Sequence, residues 1–325
     1  MPEDPGCRVQ RDTQHERPAV PVALSRAGVT NLRRIIAMKD SGRSELFYAT
    51  LDLFADLSPE HAGVHMSRFS EVVEGLAEGL TRKPLADIES LARRMAEEVV
   101  ETQEALRAEV HIKAQSPITK HTPVTHRPTE QLYTLVGIAA ATRTRTRLLV
   151  GVEVNGLTVC PCAQDMVRGQ SLDTLRDNGY SEEEAERILS LLPIASHNQR
   201  GKGTLLIGSQ SRLRAEDLVA IVEQSMSSEI YELLKRPDEL YVVDKAHRNP
   251  RFVEDVVREM LRRVVQAYPD LSDDSFVLAR QENYEGIHEH NAFAERYGMM
   301  AEIRPELAGK AFAARHTALS EWLAG

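Results

Sequence analysis

Leu132-Tyr133-Thr134-Leu135-Val136-Gly137-Ile138-Ala139-Ala140 and Arg147-Leu148-Leu149-Val150-Gly151-Val152-Glu153-Val154 stand on either side of a short Thr/Arg stretch, and their reading decides the fold. Both are apolar and rich in β-branched residues, so each reads as a strand. Upstream, strand-like segments at 32–38 and 45–53 flank the turn composition Lys39-Asp40-Ser41-Gly42. Two helical stripes follow, Phe69, Val72, Val73, Leu76 and Leu80, then Leu85, Ile88, Leu91, Met95 and Val99 in a helix opening at Pro84. A strand at 108–112 precedes 132–140, which makes the first half ββααββ. Downstream the order recurs: strands at 147–154 and 204–208, helices at 215–234 and 250–268, and strands at 276–280 and 299–303. The expected class is therefore α+β, two copies of one unit with the boundary near Thr142.

The expected layout is a mobile tail over 1–26, a first unit over 27–142, a second over 143–304 and a C-terminal extension over 305–325. The second unit carries an insertion at about 166–193, which reads as a helical hairpin over 171–192. Ser181 and Glu184 have capping-box spacing, and Asn178-Gly179 is a turn signal. A surface addition without chemistry is its plainest reading.

Composition excludes several classes. Hydrophobic residues make up 42% and charged residues 27% of 325, ordinary for a globular protein. No stretch approaches a membrane span, and the N-terminus lacks the basic-then-apolar order of a signal peptide, so a cytoplasmic location is expected. A net charge of −9 argues against nonspecific nucleic-acid binding. Three cysteines cannot build a disulfide framework; Cys7 lies in the polar leader, and Cys160 and Cys162 remain as candidate ligands.

Cys160-Pro161-Cys162 alone is a weak signal, because buried inert thiols are common. Joined to His197-Asn198-Gln199-Arg200 it offers thiolate and imidazole, a borderline-soft set suited to Zn²⁺ or Fe²⁺. Glu239, after Lys235-Arg236-Pro237-Asp238, reads by itself as a surface carboxylate at a helix end. Asn249-Pro250 starts the next helix, and indexing places Glu254 at the edge of its apolar face beside Leu261, half-buried. Its partner is then either a purine N–H edge or an arginine. Glu285-Gly286-Ile287-His288-Glu289-His290 combines histidines with carboxylates, a set for metal binding or proton transfer, although exposed loop histidines are commoner. Arg143, Arg145 and Arg147 alternate and would share one strand face towards a polyphosphate. Arg68, Arg200, Lys202, Lys235 and Arg236 are further candidates for that role. No Walker motif, Gly-x-Gly-x-x-Gly or nucleophile elbow is present.

Five segments occur in one order: Gly63-Val64-His65-Met66-Ser67-Arg68-Phe69, Thr158-Val159-Cys160-Pro161-Cys162-Ala163-Gln164, His197-Asn198-Gln199-Arg200, Leu234-Lys235-Arg236-Pro237-Asp238-Glu239 and Asn249-Pro250-Arg251-Phe252-Val253-Glu254-Asp255. Together they resemble GTP cyclohydrolase IB, bacterial type with the archaeal branch close by, over residues 27–303. The resemblance implies tandem tunnelling-fold units, each ββααββ with an antiparallel sheet and two helices, assembled as a homotetramer with active sites at subunit interfaces. It implies GTP as substrate, opening of the imidazole ring, formate release and 7,8-dihydroneopterin triphosphate for folate-type pterins. It implies a divalent metal, Mn, Fe or Zn, on Cys160, His197 and Glu239. It further implies Cys160, Glu285 and His288 as catalytic groups and Glu254 as the purine anchor, with Arg200 and Lys202 beside the substrate. Cys162 and His290 match less closely in role. The insertion and the form His-Asn-Gln-Arg-Gly look like the archaeal branch, which uses Fe²⁺ and yields a 2′,3′-cyclic phosphate. The contrasting expectation is a tunnelling-fold protein that binds a purine or pterin without turning it over.

Overall fold

The computed structural model describes residues 12–40, 43–82, 87–310, 312 and 314–325. Its contacts divide the chain into two compact units: one comprises 1–114 with 137–148, and the other 115–136 with 149–325.

The first unit opens on the long hairpin of β1 (Leu24–Asp40) and β2 (Arg43–Leu57), paired antiparallel in the register Leu32↔Leu51 and Ile36↔Phe47. Along β2 the residues alternate strictly: Leu51, Leu53, Ala55 and Leu57 are buried while Asp52, Phe54 and Asp56 are less so. That period of two turns one face onto helices and leaves the other open, with Ile35, Leu46 and Tyr48 exposed beside Asp52 and Asp56. The helices are α1 (Met66–Arg82) and α2 (Ile88–Thr102). Phe69, Val72 and Val73 of α1 and Ile88, Leu91, Met95 and Val99 of α2 are buried, as their spacing required. Asp87 caps α2, its side chain accepting from Ser90 N–H. The expected turn at Ser41-Gly42 and the helix start at Pro84 fall outside the described residues. The strand order continues β1-β2-β3-β4 with β3 (Arg107–His121) and β4 (Pro128–Thr142). Within the expected tail over 1–26, a 3₁₀ turn spans Thr13–His15 and β1 begins at Leu24.

The second unit is ordered β5-β6-β8-β9: β5 (Thr146–Val159), β6 (Asn198–Gly208), β8 (Phe276–Asn283) and β9 (Ala292–Met299). β7 (Ser228–Glu229) pairs with β5. Between β5 and β6 lie α3 (Pro161–Asp177) and α4 (Glu182–Leu191), the expected helical pair, with α3 starting ten residues earlier than the sequence pattern indicated. Its start is set by proline in the first turn and by Cys160 as N-cap. The Ser181/Glu184 capping box is formed. After β6 come α5 (Ala215–Ser225), α6 (Arg236–Arg248) and α7 (Val253–Ala267).

Three expectations are corrected. The helix at 215–234 ends at Ser225, where Ser228 and Glu229 leave to pair with β5, and a separate α6 starts over Pro237. Residues 299–303 are not a strand: β9 ends at Met299 and α8 (Met300–Leu307) begins there. Arg143 and Arg145 do not share a strand face with Arg147, because Thr142 N–H donates to Arg145 C=O and closes a turn between β4 and β5. Within 305–325, α9 (Leu319–Ala324) buries Trp322 against Phe276, with ring centroids 5.7 Å apart.

Where α6 begins, Asp238 is fully buried. It accepts from Val124 N–H and Thr125 N–H at 2.9 Å, from Thr125 Oγ1 at 2.7 Å and from Lys235 N–H at 3.0 Å. Burial alone would raise this carboxyl, but hydrogen bonds from the Thr125 hydroxyl and from the three backbone amides outweigh it and hold the group well below its ordinary 3.8. A carboxyl lowered on folding stabilises above its unfolded value and loses that contribution as pH falls towards the folded value. Asp238→Ala is therefore expected to lower Tm by several degrees at pH 7, with the gap to the parent protein closing below about pH 4 in thermal melts.

Candidate active site

The register of β5 and β6 sets the site. Thr158 faces Gln199 and Val159 faces Asn198, and one step further Cys160 N–H donates to His197 C=O at 3.2 Å. Two residues 37 positions apart are thereby neighbours at one strand end. Ser196 Oγ donates to Cys160 C=O at 2.6 Å, and the Gln164 amide donates to Ile194 C=O and His247 C=O, which ties the base of α3 to the approach of β6. Cys160 is half-buried, and its sulfur accepts from Ala163 N–H at 3.5 Å, at the positive end of α3. Cys162 is exposed.

Gln199, a buried residue that sequence reading passed over, organises the imidazole. Its amide nitrogen lies 3.3 Å from Glu285 Oε1 and 3.2 Å from Thr158 Oγ1. An ionised carboxylate only accepts, so this nitrogen donates and the amide orientation is fixed. Gln199 Oε1 then faces His197 Nδ1 at 3.0 Å and must receive a proton from it. With that proton on Nδ1, a neutral ring carries its lone pair on Nε2, the form a metal ligand needs. Glu285 Oε2 lies 3.7 Å from the same Nδ1. His288 is exposed, its ring edge-on to His197 with centroids 6.4 Å apart and stacked on His290 at 5.0 Å. The strands can approach here because Gly201 and Gly203 carry no side chain. A Cβ on Gly201 would sit 2.2 Å from the Gln281 amide nitrogen, and one on Gly203 2.4 Å from Val222. The only sequence signal for Gln199 is its place in His-Asn-Gln-Arg; its burial follows from pairing with Thr158.

The other expected residues are placed apart from this cluster. Glu239 lies in the first turn of α6, at the start of a separate helix and not at the end of α5, and is exposed; the buried carboxylate there is its neighbour Asp238. Among the described residues Cys160, His197 and Glu239 are not one of the groups of three ligand-type side chains whose donor atoms lie within 4.8 Å of one another. Glu254 is exposed rather than half-buried. It sits above Leu261 at the rim of an open groove of about 510 Å³, lined also by Arg258, Glu295, Arg296 and Glu306. The apolar face indexed from sequence is correct, with Val253, Val256, Val257, Met260 and Val264 buried. The groove alongside explains why the edge position is open. Arg200 is exposed, and Lys202 Nζ lies 3.9 Å from Glu282.

A family described as type I GTP cyclohydrolase folE2 matches residues 11–294. The chain is 40% identical over 305 residues to the GTP cyclohydrolase MptA of Methanococcus aeolicus, covering 91% of this chain and 99% of that one. It is 41% identical over 304 residues to the GTP cyclohydrolase MptA of Methanothermobacter thermautotrophicus, covering 91% and 95%. Among solved structures, uricase from Arthrobacter globiformis superposes with a TM-score of 0.51 at 9% identity, covering 85% of this chain and 93% of that one, a likeness of fold alone. Among the described residues no helix is long and apolar enough to cross a membrane. The resemblance read from the five sequence segments holds at the level of the GTP cyclohydrolases, under the folE2 and MptA names rather than IB. One relationship thus spans nearly the whole chain, which belongs to the type I GTP cyclohydrolase folE2 family.

Proposed function

We propose that this protein is a metal-dependent GTP cyclohydrolase that opens the guanine imidazole ring at C8, releases formate and recloses the ring with ribose carbons. The observation that carries the reading is the junction of Cys160 with a His197 whose Nδ1 is tied to Gln199, so that thiol and lone-pair-bearing Nε2 belong to one strand end. This donor set fits a borderline-soft divalent ion, Mn, Fe or Zn, with Cys160 and His197 as two protein ligands and Glu239 as the third. When bound, such a metal supplies an activated water for attack at C8.

The remaining groups act through their own chemistry. Glu285, held by Gln199 near His197, takes a proton from the attacking water, and His288 on the exposed β8–β9 turn delivers one to the leaving ring nitrogen. Glu254 receives the purine N–H and NH₂ donors, while Arg200 and Lys202 face the phosphates. Glu239 and Glu254 are both exposed in a single chain, which favours sites completed between subunits of a homotetramer built from tandem tunnelling-fold units. The likeness to methanogen MptA enzymes and the α3–α4 pair favour 7,8-dihydroneopterin 2′,3′-cyclic phosphate as product over the triphosphate.

Metal-stripped protein given GTP and Mn²⁺, Fe²⁺ or Zn²⁺ separately is expected to release formate and, after oxidation, a fluorescent pterin with at least one of them. Cys160→Ser and His197→Ala are expected to abolish both. Folded protein that yields no formate with any metal refutes the reading and leaves a purine or pterin binder. A phosphomonoesterase strips a triphosphate but leaves a cyclic diester intact until a phosphodiesterase opens it, which separates the two products.

Gln199 is assigned as a positioning residue. Gln199→Leu is expected to lower kcat roughly ten- to a hundredfold and to weaken metal retention similarly. It should also displace the acid limb of the kcat/KM pH profile, because His197 and Glu285 lose their common partner. An unchanged pH profile and metal content would make Gln199 merely structural.

A further inference from the structure

Outside that site, among the described residues, one group of metal-ligating side chains is drawn together: Asp12, His15 and His65. Asp12 Oδ2 lies 2.7 Å from His15 Nδ1 and 3.7 Å from His65 Nε2, and the two ring nitrogens are 3.4 Å apart. Ligand atoms about 2.05 Å from a zinc-like ion at tetrahedral angles are about 3.4 Å from one another; the two spacings to His65 Nε2 lie near that value, and the Asp12–His15 hydrogen bond would have to lengthen to admit an ion. Without an ion the Asp12 carboxylate accepts the His15 Nδ1 proton, and a bound metal would take that proton's place. His65 Nε2 stays within reach of both without a good bond to the carboxylate, at 3.7 Å.

The residues arrive from segments 50 positions apart and are held there by backbone. Ala62 N–H and Gly63 N–H both donate to Gln14 C=O, at 3.0 and 3.3 Å, which stitches the 3₁₀ turn to the loop before α1. His65 is clamped at its main chain: its N–H donates to Gln103 Oε1 at 3.2 Å, and the Gln103 amide donates back to His65 C=O at 2.9 Å. The clamp fixes the backbone and leaves the imidazole to face Asp12 and His15. Beside them is a cleft of about 250 Å³, lined also by His61 and Arg68, with the His61 ring 5.0 Å from that of His15. A bound ion would keep an open position towards that cleft.

We propose that Asp12, His15 and His65 form a second metal site in this protein, taking a divalent transition ion such as Zn²⁺ or Co²⁺. Two imidazole nitrogens and one carboxylate select these ions over Mg²⁺ or Ca²⁺, which demand oxygen shells. Its ligands belong to the first unit and Cys160 and His197 to the second, so the two sites can be tested apart.

The experiment uses the full-length chain carrying Cys160→Ser and His197→Ala, in which the proposed site around Cys160 has lost two of its three ligands. Titration with Co²⁺, followed by its visible absorption, and Zn²⁺ content after gel filtration are expected to show one equivalent retained. Adding Asp12→Asn with His65→Ala should remove that equivalent or weaken it at least tenfold, with circular dichroism and Tm unchanged; Asp12 is exposed, and His15→Ala at another exposed position serves as a second variant. No binding in the parent background, or binding unaltered by these substitutions, overturns the proposal. Formate release is not read in these titrations, so failure of the cyclohydrolase reading and failure of this site are separate results.

Discussion

The hydrogen bond from Cys160 N–H to His197 C=O is the constraint on which the candidate active site depends. It is the last rung of the β5–β6 ladder, and it closes a loop that contains two complete helices. Closing a loop of this length costs only slightly more than closing a short one, since the entropy grows with the logarithm of length. The insertion can therefore be large without loosening the ladder. What it must do is leave β5 and rejoin β6 in register, and Gln164 and Ser196 secure that by holding the two ends of the loop to each other. A slip of one residue would turn Gln199 out of the interior and carry His197 to the opposite face.

Buried polar groups in the second unit are placed where the chain changes direction. Asp238 gathers four donors at the start of α6. Glu223 receives Tyr133 Oη and Lys120 Nζ, both at 2.7 Å. Ser227 Oγ receives Val159 N–H at 3.0 Å, immediately before Cys160. Each satisfies groups that apolar packing would leave unpaired, and each would be costly to remove singly. The packed faces of α5 and α7 supply bulk stability, whereas these carboxylates and hydroxyls fix where the connecting segments go.

Much of this architecture was legible in the sequence because burial imposes periods. The alternation of Leu51, Leu53, Ala55 and Leu57, and the stripes through α2 and α7, follow directly from one buried face. Elements without a clean stripe escaped. α6 buries only Asp238, Val242 and Ala246, so its pattern resembles a polar connection. β9 has just one buried residue, Gly298, and its apolar signal was displaced onto Met300 and Ile303 of the helix that follows. Cys160 and His197 were legible as ligand types, and strand pairing brought them together. Gln199 was not, because an amide between Asn198 and Arg200 reads as surface until its partner across the ladder is known. Asp12, His15 and His65 escaped for the same reason: two short polar segments become a constellation only when Gln14 is stitched to the loop before α1.

The candidate active site also separates a part-buried imidazole from exposed ones. His197 immediately precedes β6 and Gln199 lies at its start, with the buried Thr158 opposite the amide on β5 and Glu285 on its other side. His288 and His290 lie in the exposed turn between β8 and β9, where the ladder has ended at Asn283↔Ala292. An imidazole that binds a metal gains from a fixed tautomer, and a buried amide provides one. An imidazole that moves protons must recover its own from water, which a buried ring cannot readily do. Glu285 stands between the two regimes, just beyond the end of β8, with its side chain only 10% exposed and anchored through Gln199 to the rigid side. That placement ties the start of the exposed turn to the imidazole of His197.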